Sequence, residues 1–152
     1  MKYEIVSLPE KTVVGLNART CDQDADMSAK IGGLWKTFFE EDVYTSIPNK
    51  STQSTLGVYS NYAGDEKDAY DITVCCEVSC AENLPQGTVV KTIPAGTYAK
   101  FSITGDPVVD VMRFWTALRE MPLDRAFIAD FEEYISVGED GRCDIHIYIS
   151  LK

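Results

Sequence analysis

The hydrophobic positions change period several times along the chain, and each change marks an element. Tyr3–Leu8 and Thr12–Arg19 read as two strands on either side of a turn at Pro9-Glu10-Lys11. From Asp26 to Tyr44 the spacing lengthens. Met27, Ile31, Leu34, Trp35, Phe38 and Phe39 recur at three- and four-residue steps, which predicts a helix with one apolar face. Asp24 or Asp26 is placed to cap its first turn. Gly32-Gly33 inside it weakens the helix by about 1 kcal/mol per glycine relative to alanine, so the pair implies close approach of a backbone or ligand, or a local bend. After Ile47-Pro48-Asn49 a polar loop leads to a tyrosine-rich strand, Leu56–Tyr62, and a turn at Gly64-Asp65-Glu66-Lys67-Asp68. In the next strand, Tyr70–Ser79, Ile72, Val74, Cys76 and Val78 face one way and Asp71, Thr73, Cys75 and Glu77 the other.

The second half repeats this order. Thr88–Ile93 and Thr97–Thr104 read as strands around Pro94-Ala95-Gly96. Asp106-Pro107 opens a helix, with a capping side chain followed by a proline whose φ suits the first turn. Val108, Val111, Met112, Trp115 and Leu118 form its apolar face, and Met121-Pro122 ends it. Two strands follow, Ala126–Val137 and Cys143–Leu151, joined by Gly138-Glu139-Asp140-Gly141. Each half therefore runs strand, strand, helix, strand, strand. A short echo agrees with duplication: Gly64-Asp65-Glu66 precedes Asp71-Ile72, and Gly138-Glu139-Asp140 precedes Asp144-Ile145. The expected fold is α+β in a single domain, 1–152, built from pseudo-repeats of about 1–82 and 83–152. It has an antiparallel sheet of about eight strands, two main helices on one face and a groove between the halves. Such a groove is a common position for a ligand pocket.

Composition narrows the functional classes. With a formal net charge of −10 and no basic run, the chain lacks the clustered Lys and Arg that phosphate backbones require, so direct nucleic-acid binding is not expected. The acidic surface instead draws cations toward a cleft. Five cysteines (Cys21, Cys75, Cys76, Cys80, Cys143) contain no C-x-x-C spacing, and the single histidine, His146, supplies no second ligand, so no metal site and no cofactor are expected. Unpaired thiols of this kind suit a reducing, cytoplasmic setting. Met1–Leu8 has no apolar signal-peptide core, and no apolar stretch is long enough for a membrane span, so no membrane association is expected.

The stretch Asp130-Phe131-Glu132-Glu133-Tyr134-Ile135 is the most informative for chemistry. In a strand, Glu132 and Tyr134 share one face, while Phe131, Glu133 and Ile135 share the other. A buried, ionised carboxylate costs several kcal/mol unless paired or hydrogen-bonded. A cationic ligand would supply the missing charge, and aromatic walls would add roughly 0.5–2 kcal/mol each through cation–π attraction. Alternation alone equally allows both glutamates to lie on a solvated face. Trp35, Trp115, Phe38 and Phe101 are candidate walls, the last three also at core spacing. Tyr59, Tyr98 and Tyr148, with Tyr62, are strand tyrosines that present an apolar body and a polar tip. His146 faces away from the row formed by Ile145 and Ile147.

Several short motifs, in order and spacing, resemble the gyrase-inhibitor-like (GyrI-like) effector-binding family, especially stand-alone members akin to integron-cassette effector-binding proteins. They are Val6-x-Leu8 with Val14-Gly15-Leu16, Leu34-Trp35-x-x-Phe38, Gly57-Val58-Tyr59-x-x-Tyr62 and the strand Tyr70–Val78. Ile93-Pro94-Ala95-Gly96-x-Tyr98-Ala99-x-Phe101, Phe131-Glu132-x-Tyr134 and Asp144-Ile145-x-Ile147-Tyr148-Ile149 complete the set. The resemblance covers nearly the whole chain. It implies a tandem strand–helix–strand–strand fold that binds drugs and other organic effectors, alone or as the sensing half of AraC- and MerR-type regulators. It maps the pocket glutamate onto Glu132, its companion tyrosine onto Tyr134 and the first-helix tryptophan onto Trp35. The expected ligand is a small organic cation with aromatic character. A homodimer or a separate regulator chain remains an open partner. The alternatives are a hydrolase of cyclopropanoid natural products using Glu132 and Tyr134, and an interaction module of the gyrase-inhibitor kind.

Overall fold

In the computed structural model, residues 1–65 and 67–152 are described. Glu66, on which part of the predicted 64–68 turn and of the sequence echo rests, lies outside the described residues. The elements follow the chain as β1 (Glu4–Leu8), β2 (Lys11–Thr20), α1 (Met27–Glu40), a one-turn α2 (Val43–Ser46), β3 (Thr55–Ser60), β4 (Tyr70–Val78), β5 (Val89–Ile93), β6 (Gly96–Gly105), α3 (Val109–Leu118), β7 (Ala129–Val137) and β8 (Cys143–Ser150). All eight expected strands form. The helix expected to run to Tyr44 stops at Glu40, because Asp42 adopts a left-handed backbone (φ 58°) and a separate turn begins beyond it.

Side-chain capping falls differently at the two main helices. At α1 neither expected aspartate caps a first-turn N–H: Asp24 accepts from the Asp26 N–H (2.9 Å) and pairs with Lys30 (2.6 Å). α3 begins at Val109 and not at the expected Pro107, but Asp106 Oδ1 does accept from the N–H groups of Val108 (2.8 Å) and Val109 (2.7 Å). Two orphan donors at the helix start are satisfied this way.

The strands form one antiparallel sheet in the order β1-β6-β8-β7-β3-β4-β2-β5. Exchanging each strand for its counterpart in the other half returns the same order, so the sheet carries the pseudo-two-fold of a duplication. Each half lends its first strand to the other: β1 pairs with β6, and β5 with β2. The chain passes from β1 to β2 through only Pro9 and Glu10, which lets Leu8 and Lys11 lie no more than roughly 11 Å apart. These strands stand near opposite borders of the sheet, as do β5 and β6, joined by Pro94 and Ala95. The sheet must therefore roll up. The inside of the curl is filled by Val13, Leu56, Val58, Cys75, Ile93, Tyr98, Phe131 and Tyr148, with Val6 and Leu8 against them.

The helices cover the outside, and each covers its own half. Phe38, with Leu34 and Trp35 beside it, seats α1 on Val14 of β2 and Val74, Cys76 and Val78 of β4. Val111, Phe114 and Leu118 seat α3 on Ala99 and Phe101 of β6 and Ile145, Ile147 and Ile149 of β8. The two strands at the junction, β3 and β7, are left as an uncovered floor between them. Both faces of β4 are consequently shielded: Asp71, Thr73 and Cys75 are as buried as the row opposite. Among the described residues no helix is long and apolar enough to cross a membrane.

Candidate functional site

The floor strands pair with Gly57 opposite Glu132 and Tyr59 opposite Asp130. Alternation sends Glu132 and Tyr134 outward, between the helices, together with Ile147 and Ile145, their partners on β8. Glu133 points to the inner side, where Ser54 Oγ donates to it at 2.8 Å. The register thus resolves which glutamate enters the groove.

Glu132 is only 3% exposed, and three neutral donors converge on its carboxylate. The Trp115 indole Nε1–H donates to Oε2 at 2.7 Å, the Tyr59 hydroxyl to the same oxygen at 3.0 Å, and the Tyr134 hydroxyl to Oε1 at 2.8 Å. The glycine across from it has a local reason. A Cβ on Gly57 would stand 3.0 Å from Glu132 Oε1, so a side chain there would crowd the carboxylate, while it would only touch Trp35, 3.5 Å away at Cζ2. Trp35 in turn meets the Tyr134 ring edge-on at 5.3 Å, and Trp115 meets Tyr59 at 5.1 Å. These residues wall a cavity of about 460 Å³ between α1 and α3. Tyr62 and Tyr70 extend the wall, and Met27, Ile31, Val108 and Met112 contribute from the helices.

The charges near this cavity are unequally satisfied. Asp130, two residues before Glu132 and fully buried, receives the Arg125 guanidinium (2.9 Å), the Tyr62 hydroxyl (2.7 Å) and the N–H and hydroxyl of Ser150 (2.8 and 3.0 Å). Asp22 receives Arg119. Among the described residues no cation pairs with Glu132. Burial accordingly pushes its carboxyl above the ordinary glutamate value, with the Trp115, Tyr134 and Tyr59 donors pulling the other way. Burial, and then the adjacent carboxylate, push Tyr59 and Tyr134 well above the usual tyrosine range, so both stay neutral donors.

This arrangement carries a pH signature. A carboxyl whose folded pKa lies above its unfolded value binds more protons when folded, so its contribution to stability grows as pH falls through that raised value. Any attraction of this carboxylate for a cation would need its ionised form and would weaken over the same range, which begins above pH 4.5. We expect the unliganded protein's Tm, relative to Glu132→Gln, to rise as pH falls toward 4.5, while affinity for an organic cation declines. Differential scanning calorimetry and titration at several pH values read the two trends. Parallel trends would contradict a buried ionised Glu132.

Six sequence candidates meet at the cavity: Glu132, Tyr134, Trp35, Trp115, Tyr59 and Tyr62. The others lie elsewhere. Phe38 is fully buried beneath α1, and Phe101 is in the core 4.9 Å from Phe114. Tyr98 and Tyr148 fill the inside of the curl, where Tyr148 stacks on Phe131 at 4.6 Å and the Tyr98 hydroxyl donates to the Pro94 carbonyl at 2.7 Å. His146 shares their face, opposite Glu133 in the β7–β8 ladder. The physical reason is one of parity: His146 and Tyr148 alternate with Ile147, and Ile147 is the residue level with Glu132. Sequence reasoning missed Asp22, Tyr70, Arg119 and Arg125, which are spread over a loop, β4, the end of α3 and the segment before β7. An available signal was an apolar helix face wider than a core needs. Val108 and Met112 fall on such a face and stand 65% and 61% exposed at the rim. Gly32 also lines the cavity, but a Cβ at Gly32 or Gly33 would touch nothing within 4 Å, so no backbone approach explains the pair.

Comparison with known proteins agrees with this architecture. An integron cassette protein from Vibrio cholerae superposes with a TM-score of 0.79 at 29% identity, over 99% of this chain and 95% of that one. SAV2435, solved bound to tetraphenylphosphonium, superposes with a TM-score of 0.80 over 100% of this chain and 94% of its own, at 16% identity. YobU of Bacillus subtilis (strain 168), described as a candidate transcriptional regulator, is 24% identical over 156 residues, 97% of this chain and 96% of that protein. The family model for integron-associated effector binding proteins matches residues 4–151. The chain belongs to the integron-associated effector-binding protein family.

Proposed function

We propose that this chain captures lipophilic aromatic cations, acting as a sensor for a regulator or as a sequestering protein. One observation carries the reading: Glu132 is buried among aromatic rings with three neutral donors and, among the described residues, no cationic partner. The desolvation of that carboxylate leaves an incoming cation a large electrostatic gain, and the rings around it favour a cation with aromatic substituents. The tetraphenylphosphonium held by SAV2435 is a ligand of this class. The description of YobU supports a link to transcription, and the five free thiols suit a reducing compartment such as the cytoplasm.

The hydrolase alternative draws less support from the geometry. Tyr134 would have to donate to a developing oxyanion, yet its hydroxyl is committed to Glu132. No observation locates a surface for the interaction-module alternative.

The test is a matched pair of ligands. Titration with tetraphenylphosphonium should quench Trp35 and Trp115, which both line the cavity, and saturate with a Kd at least about tenfold below that of neutral triphenylphosphine oxide. Equal affinities would mean that charge has no part in selection and would overturn the proposal.

A further inference from the structure

We infer that the cavity is built for dicationic ligands, with Asp22 as the second anionic anchor and Arg119 as the group that the ligand's distal cation displaces. This rests on the reading of Glu132 as the first anchor.

Among the described residues the cavity has two carboxylates in its lining, and they differ in what holds them. Glu132 sits on the floor and, among the described residues, meets neutral donors only. Asp22 sits in the loop between β2 and α1, with its side chain 19% exposed, and receives two groups. The Tyr70 hydroxyl donates to Oδ1 at 2.6 Å, and the Arg119 guanidinium donates to Oδ2. Tyr70 comes from the neighbouring strand and fixes the carboxylate in place. Arg119 follows the last residue of α3, in the other half of the chain, and 47% of its side chain is exposed.

Arg119 is in effect a cation already docked at Asp22, and it demonstrates that a planar, delocalised positive charge fits there. It is also the easier of the two partners to move. A long, half-exposed side chain loses little when it swings into water, because ion pairs at such exposure are weak and their charges are readily resolvated. Asp22 has no such freedom while Tyr70 holds it. The remaining cation in the lining, Arg125, is bound to Asp130 and lies 4.2 Å over the Phe127 ring, so its charge is directed to another carboxylate.

Two aromatic rings connect the anchors. Tyr59 donates to Glu132, Tyr70 donates to Asp22, and their ring centroids are 5.7 Å apart. The body of a ligand joining two cationic heads would lie along these two rings. A ligand with one positive charge and a long apolar tail reaches the same wall but gains nothing at Asp22, where Arg119 stays in place. The cavity therefore discriminates by the number of charges as well as by their sign.

The experiment compares alkyl-linked bis-quinolinium probes of graded linker length with the matching N-alkyl monocation, titrated calorimetrically against folded wild type, Arg119→Gln, Asp22→Asn and the double variant. Arg119→Gln lies at an exposed position and should keep the fold while freeing Asp22. It is expected to tighten the best bis-cation about five- to tenfold and to leave the monocation within about twofold. Asp22→Asn and the double variant should reduce the bis-cation to about the monocation's affinity. If Arg119→Gln weakens both probes, tightens both alike or changes neither, or if the double variant holds the bis-cation as wild type does, Asp22 is not an anchor and the inference fails. A monocation whose affinity is unaltered by Glu132→Gln would instead overturn the reading of the cavity as a cation site, and this inference with it.

Discussion

Glu132→Gln should weaken tetraphenylphosphonium binding by about a hundredfold, while triphenylphosphine oxide changes by no more than about twofold. The substitution keeps the shape of the side chain and removes its charge. Glutamine's carbonyl oxygen can still accept from the Trp115 indole, which cannot reverse its role. Its NH₂ would then face the Tyr134 hydroxyl, and a hydroxyl can turn to accept. The walls should therefore stay where they are, and the difference between the two ligands isolates the electrostatic part of recognition. Removing a buried charge that no cation balances should leave the unliganded protein at least as stable as before. Calorimetric titration of both ligands, with a thermal melt of each variant, gives all these readouts. Equal loss for the two ligands, or a collapsed melt, would place Glu132 in a structural role.

The second large effect concerns the scaffold. Gly15→Ala should lower the Tm by about 6–12 °C, corresponding to roughly 3 kcal/mol for a chain of this size. A Cβ at Gly15 would lie 1.9 Å from the Val74 carbonyl oxygen and 2.6 Å from the Cys75 Cα. Both atoms belong to the backbone of β4, paired with Gly15 in the ladder, so neither can retreat without opening the contact between β2 and β4. Gly57 presents a contrasting case, since a Cβ there would meet only side-chain atoms, those of Glu132 and Trp35. Scanning calorimetry of Gly15→Ala decides the matter. A shift below about 2 °C would mean that the strands relax apart at little cost.

The sequence discloses periodicity well and parity poorly. Eight strands and the two long helices follow from alternation and three-to-four spacing, because those patterns are properties of single segments. Which face of a strand looks at which neighbour is a property of the assembled sheet. Tyr98, Tyr148 and His146 carry the same strand signature as Tyr59 and Tyr134, and only the level of Glu132 with Ile147 in the β7–β8 ladder separates the groups. The acid run of β7 shows the same limit. Asp130, Glu132 and Glu133 lie within four residues, yet one is neutralised by Arg125, one bonds to Ser54 inside the curl, and one has, among the described residues, no cation beside it in the cavity. Asp22 and Arg119, 97 residues apart, had no local signal that would bring them together. The family resemblance supplied the weight that alternation lacked for Glu132, and the structure brings Trp35 and Tyr134 to the same cavity.

The exchange of the first strands between the halves bears on how such a duplicated polypeptide can be taken apart. A break in the 79–88 connector would leave each fragment short of one border strand, because β1 completes the sheet of the later half and β5 that of the earlier. The ligand chamber straddles the join and would exist in neither piece. The two copies have become mutually dependent, and recognition belongs to their union.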